Sequence, residues 1–217
     1  MLDILHDGTD WCVLNKPAGL VCHPTKGDLT SSLVGRLRLH FGPDATSHLV
    51  HRLDRETSGL VVVARSRAAA GALGRLFESR EVRKAYLAII HGSPSHDRFA
   101  IEAPLGRALD SPVAIQDAVR PDGTPACTEV SVVRRLVRQG REFALVEVVP
   151  RTGRKHQIRI HLAHAGHPIV GDKIYGGDPT RYLRFVEGRS TAEDAEALLL
   201  THQALHACRL KFPWQGR

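Results

Sequence analysis

The 217-residue chain sets 30 lysines and arginines against 23 acidic residues, a formal charge of +7 that favours polyanionic partners, nucleic acid above all. Apolar residues make up 42% and no apolar run nears the ~20 residues of a membrane helix, which excludes a helical membrane protein and a disordered chain. The length fits one domain or two intimate halves. MLDILHDGTD at the start has no basic n-region and no apolar h-region, so it does not read as a secretory signal. The expected location is the cytoplasm. Cys12, Cys22, Cys127 and Cys208 form no CxxC pair and are expected to be reduced.

The elements follow in chain order. Cys12-Val13-Leu14 is a short strand stopped by the turn Asn15 to Gly19. Leu60 to Ala64 is apolar throughout, as in a strand buried on both faces. Ser66 caps a helix to Ser79 whose apolar face is Ala69, Leu73, Leu76 and Phe77. Lys84 to Ile90 is a strand with Lys84, Tyr86, Ala88 and Ile90 on one face. Residues 91–127, rich in Pro, Gly and Asp, read as loop or irregular hairpin. Thr128–Val133 and Phe143–Val149 form a hairpin around Arg138-Gln139-Gly140-Arg141. Ile158, Ile160 and Leu162 are compatible with a strand, but the caps favour a helix from Thr152 to about Ala165, with Gly166 as its stop. Residues 191–200 are helical, and Ala204 to Phe212 is a strand with its even-numbered residues on one side. Strands dominate without strict βαβ alternation, which predicts an α+β fold on an antiparallel sheet.

Three stretches can carry chemistry. In HRLDRETSGL, residues 51–60, Asp54 stands between Arg52 and Arg55 at the mouth of the buried strand. Flanking cations favour an ionised carboxylate, which serves as nucleophile or general base. Thr57, Ser58 and Gly59 are expected to form a tight turn whose hydroxyls tie down backbone amides. In residues 151–176, Arg154, Lys155 and Arg159 crowd a helix N-terminus, the wrong end for the dipole unless a phosphate or the Asp54 carboxylate is near. His156, His161, His164 and His167 raise a metal-hydrolase alternative, weakened by the missing HExxH spacing; hydrogen bonding or stacking is the favoured role. Finally, Lys84 and Tyr86 on one strand face suit a phosphate and a stacked base.

HRLDRETSGL resembles the signature of the RluA-type pseudouridine synthases, which isomerise uridine to pseudouridine in RNA. NKPAGLVCHP (15–24), RKAYLAIIHG (83–92), TGRKHQIRIHLAHAGHPIVGDKIYG (152–176) and LHACRLKF (205–212) resemble the family's other blocks, in the family's order. The resemblance implies a mixed α+β catalytic domain over residues 1–217, with a mostly antiparallel central sheet flanked by helices. It implies Asp54 as the catalytic aspartate, Tyr86 as the ring stacking on the uracil, and Arg154 as the basic partner of the aspartate. Arg52 matches the residue that fills the gap left by the flipped nucleotide. Arg55, Lys84, Lys155, His156, Gln157 and Arg159 are expected at the RNA. Asp54 either attacks C1′ or removes the 2′ proton to give a glycal. No cofactor and no metal are implied, and the partner is ribosomal or transfer RNA, met by a monomer. The blocks begin so near Met1 that no separate S4 RNA-binding domain is expected, and recognition is expected to involve residues 91–127. A non-catalytic RNA-binding factor on the same scaffold is the other alternative.

Overall fold

The computed structural model describes residues 2–24, 31–42 and 45–215. The chain divides into two compact units, Met1–Lys84 with His206–Arg217, and Ala85–Leu205.

The first unit is built on β4 (Ser58–Ala64). Val61, Val62, Val63 and Ala64 are fully buried, as the unbroken apolar run predicts. One edge of β4 pairs antiparallel with β2 (Trp11–Lys16), which carries β1 (Ile4–Asp7) outside it. The other edge is shared. β3 (His48–Leu49) pairs with Ala64 and Val63, and β11 (Leu205–Lys211) pairs in parallel with Ser58 and Gly59. β11 buries Leu205 and Ala207 in its first half, while Leu210 and the following Phe212, on the even-numbered side, pack against the α2 core. α2 (Arg67–Glu78) begins where expected, with the Ser66 hydroxyl accepting from the Ala69 amide, and packs Leu73 against Val62 and Ala64. α1 (Leu33–Phe41), capped by Ser32, has no counterpart in the sequence reading.

The second unit is an antiparallel sheet of β5 (Arg83–His91), β10 (Arg141–Pro150), β9 (Cys127–Arg138) and β6 (Arg98–Glu102), in that spatial order. Gln139 and Gly140 turn the β9–β10 hairpin, both at positive φ (51° and 73°), the geometry a two-residue hairpin loop requires. Residues 91–127 are more ordered than expected: β6 extends the sheet, and β7 (Leu105–Arg107) pairs with β8 (Asp117–Val119). Their prolines lie between short strands, so composition alone reads as loop. α3 (Gln157–His164) covers one sheet face, where Ile158 and Leu162 meet Ala88, Ile90, Val146 and Val148. α4 (Thr180–Val186) and α5 (Ala192–Leu198) follow, the latter held by a Thr191–Asp194 capping box. The fold is thus α+β, and among the named strand pairs of the described residues within each unit only β4–β11 is parallel. Among the described residues no helix is long and apolar enough to cross a membrane.

Gly59 is the tightest point of the first unit. Its φ is +111°, and a Cβ there would lie 2.3 Å from the Ala207 carbonyl oxygen. Gly59→Ala therefore costs both strain and a displaced β11, on the order of 3 kcal/mol or more. A denaturant midpoint equal to the wild type's would refute this close approach.

Candidate active site

Asp54 sits half-buried on a turn closed by the Thr57 amide, which donates to the Asp54 carbonyl at 3.2 Å. The turn therefore spans 54–57, and Ser58 and Gly59 already belong to β4. The Ser58 hydroxyl meets His206 Nδ1 at 2.9 Å instead of a neighbouring amide.

The support beneath this turn is Lys16, which the sequence reading left as part of a surface turn. Lys16 closes β2 and is fully buried. Its ammonium donates to the carbonyls of Pro17 (2.9 Å), Leu20 (2.8 Å) and Arg55 (3.1 Å). The Gly19 amide also donates to the Arg55 carbonyl, at 2.9 Å, and Arg55 Nε returns a bond to the Gly19 carbonyl. Cys22 Sγ donates to the Leu53 carbonyl. Residues 16–22 and 53–55 are stitched together by these bonds. Burial pulls the Lys16 pKa down to about 8, a pull that the charges of Cys22 and Asp54 oppose. The cation facing Asp54 from beneath is a lysine outside its own motif.

His51 fixes the other end of the segment. β4 loses its β3 partner beyond Val63, and His51 Nε2 takes over as acceptor for the Val62 amide at 3.0 Å. The ring stacks on Phe77 at 4.7 Å. Burial, reinforced by the charge of Lys84, lowers the His51 pKa to about 3, so the ring is neutral and keeps the lone pair this bond needs. Lys84 itself is half-buried, with its pKa lowered by desolvation. Arg52 and Arg55 are exposed.

The second unit holds the remaining sequence candidates. Tyr86 is half-buried on β5, opposite Val148 and against the core below α3. Arg154 and Lys155 are exposed on the loop before α3. That loop is not helical: α3 starts at Gln157, after His156 at φ 55°, with no side-chain cap. The Thr152 hydroxyl, expected to cap the helix, accepts from the Cys127 amide and donates to Gln157 Oε1.

Gln157 and Arg159, expected at the RNA, face the interior instead, with 3% and 6% exposure. The Gln157 amide is fully engaged: Oε1 accepts from Thr152 and from the Arg154 amide, and Nε2 donates to the Cys127 carbonyl and Thr128 Oγ1. Arg159 forms a two-point bond with Asp172 at 2.7 and 2.8 Å. Burial alone would raise the Asp172 pKa, but the Arg159 charge and the hydrogen bonds outweigh it and hold the carboxylate ionised. Asp172 also accepts from the Ile174 and Tyr175 amides. The anions that answer the basic helix start are thus Asp172 for Arg159 and Asp117 for Lys155 (2.9 Å). His156 bonds Tyr175 Oη through Nδ1, and His161 bonds Thr128 and the Ala103 carbonyl through its two ring nitrogens. Among the described residues no group of three or more His, Cys, Asp or Glu is placed to hold a metal ion. The four cysteines are free thiols.

Two predictions follow from the mounting of the Asp54 turn. Lys16→Met removes the donor shared by three carbonyls and should cost about 2–4 kcal/mol; an unshifted urea midpoint would count against it. His51 has a folded pKa near 3, below its ordinary 6.5, so its contribution is present above pH 6.5 and is lost as pH falls towards 3. Between pH 7 and 5 the wild type should lose on the order of 2 kcal/mol more than His51→Gln, which keeps an acceptor. Equal losses in parallel denaturant titrations would show that the histidine does not carry this dependence.

Residues 10–164 match the family model described as RNA pseudouridylate synthase. An uncharacterized RNA pseudouridine synthase of Chlorobaculum parvum is 36% identical over 221 residues, covering 97% of this chain and 66% of that protein. Ribosomal large subunit pseudouridine synthase D of Neisseria meningitidis is 38% identical, over 97% of this chain and 54% of its own. The chain thus spans about half to two thirds of the length of such relatives. Among solved structures, human RNA pseudouridylate synthase domain containing 1 superposes with a TM-score of 0.80 at 30% identity, covering 100% of this chain and 80% of that one. Human RNA pseudouridylate synthase domain containing 4 gives a TM-score of 0.72 at 27% identity, covering 97% of this chain and 84% of its own. This chain belongs to the RNA pseudouridylate synthase family.

Proposed function

We propose that this chain isomerises uridine to pseudouridine in RNA and that Asp54 is its catalytic group. The observation that carries the reading is the mounting of Asp54: a half-buried carboxylate on a turn whose backbone is clamped by a fully buried ammonium. Such a mount holds the reacting group within the narrow geometry catalysis needs. The Lys16 ammonium and the Asp54 carboxylate attract one another, which helps hold the turn in place.

The reaction breaks N1–C1′, turns the uracil, and joins C5 to C1′; the proton leaving C5 is balanced by one gained at N1. Asp54 acts on the ribose, at C1′ as nucleophile or at the 2′ proton as base. Both routes require the base to leave its stack, at a cost of a few kcal/mol. Arg52, exposed two residues before Asp54, fills the vacancy, and Tyr86 stacks on the extruded uracil. Arg154 is the basic residue that the family resemblance assigns to the aspartate, and its backbone amide is held by Gln157. Arg55, Lys84, Lys155 and His156 contact the RNA, whereas Gln157 and Arg159 act from the interior by shaping the loop before α3. No step transfers electrons or phosphoryl groups, so the chemistry calls for no cofactor. The substrate is ribosomal or transfer RNA, met in the cytoplasm by a monomer; the name of the neisserial relative favours ribosomal RNA.

Asp54→Asn should lower pseudouridine formation by about a thousandfold or more while RNA affinity stays within about twofold. Carbodiimide mapping of cellular RNA from cells with the gene, without it, and with the Asn variant reads the activity. A site lost on deletion but restored by the Asn variant would rule out Asp54 as the catalytic group.

A further inference from the structure

The tip of the β9–β10 hairpin gathers charge without neutralising it. Arg134, Arg138 and Arg141 are exposed, and none makes an ion pair among the described residues. Register explains how they come together. Val132 pairs with Val146 but Arg134 pairs with Leu145, so Val133 is an extra residue in β9 and stands 57% exposed. Without that bulge, Arg134 would share the face of Val132 and point into the core. With it, Arg134, Leu136 and Arg138 on β9 lie on one face with Arg141 and Phe143 on β10. Arg138 and Arg141 are direct cross-strand partners, an arrangement of like charges that destabilises a hairpin. The acid nearest the tip, Glu142, pairs with Val137 on the opposite face, and Asp97 is engaged by Arg135. Arg141 also lies close enough to His91 for its charge to join burial in disfavouring the imidazolium.

From this we infer that the β9–β10 tip is a second RNA contact, binding phosphates remote from the modified nucleotide. Three planar, forked guanidiniums on one rigid face suit phosphate oxygens, and phosphate supplies the counter-charge the hairpin lacks. The tip does not reach the target base itself. Tyr86 pairs with Val148, on the face covered by α3, whereas His91 pairs with Phe143 at the tip. Those two points are roughly 17 Å apart along β5 at ~3.4 Å per residue. At ~3.4 Å per nucleotide step, a hairpin of only three base pairs around the target uridine does not span that distance, whereas a large folded RNA does. The inference rests on the proposed RNA substrate and adds where a large RNA is held.

The test uses the full chain, wild type and R134Q/R138Q/R141Q, with two probes: a large-subunit ribosomal RNA transcript and a short uridine-containing hairpin. Filter binding across a potassium chloride series is expected to show about a tenfold or greater loss of affinity for the large transcript. The log–log salt slope should become shallower by about 2–3, close to one unit per lost phosphate contact. Affinity for the short hairpin should stay the same. Removing the Arg138–Arg141 repulsion should also leave the Tm equal to the wild type's or raise it by about 1–2 °C, so a weaker complex cannot be ascribed to unfolding. Unchanged affinity and slope on the large transcript would overturn the inference, and so would equal losses on both probes, which would assign the arginines to the target stem. Asp54→Asn, run beside it, separates the two readings: if wild type forms no pseudouridine yet the arginine variant still loses the large transcript selectively, the catalytic reading fails and the second contact stands.

Discussion

Everything proposed for Asp54 depends on one buried ammonium. Lys16 is fully enclosed and its three protons go to three carbonyls, two from its own loop and one from the residue after Asp54. A buried charge is tolerated only when it is hydrogen-bonded and electrostatically compensated. The backbone provides the first condition and Asp54 contributes to the second. The Asp54 charge helps the lysine remain charged in the interior, and the lysine holds the carbonyl next to Asp54 in place. The arginines beside Asp54 in the chain are exposed, where water and salt screen their charge.

The second unit uses the same device with different chemistry. The loop bearing Arg154 has no regular structure, yet it is not free to wander. Gln157 spends its whole amide group on it and on the start of β9, while Arg159 and Asp172 bind the helix to the chain that follows it. Tyr175 completes the frame: its hydroxyl accepts from the Asp117 amide and meets His156, and Arg159 lies against its ring at 5.0 Å. Burial pushes the Tyr175 hydroxyl up, so it remains a neutral hydrogen-bonding group. Of the cations around the start of α3, Arg159 is met by the interior Asp172, and Lys155, on the loop before the helix, by Asp117.

Much of this fold is legible in the sequence, and what is not has physical causes. The run Leu60–Ala64 announces a buried strand because five consecutive apolar residues need two covered faces. Ser66 announces α2 because its hydroxyl has one obvious amide to cap. Thr152 deceives by the same logic: a threonine before an apolar run looks like a cap, but its oxygen accepts from the Cys127 amide and its proton goes to Gln157. β6, β7 and β8 escape notice because each is short and depends on partners distant in sequence. Lys16 is missed because a lysine before Pro-Ala-Gly reads as a solvated turn; only the carbonyls converging on its tip reveal otherwise.

A motif of charged residues does not say which of them face solvent. In TGRKHQIR, side chains of similar polarity divide sharply: Arg154 and Lys155 are exposed, while Gln157 and Arg159 are buried. The division follows from helix geometry. Once α3 starts at Gln157, residues 158, 161 and 162 must cover the sheet, and 157 and 159 fall beside them, where only a satisfied polar group is tolerated. Residues before the helix escape that constraint. The start of α3 is therefore what separates the exposed groups from those that hold the loop in place, and that start is set by the left-handed backbone of His156.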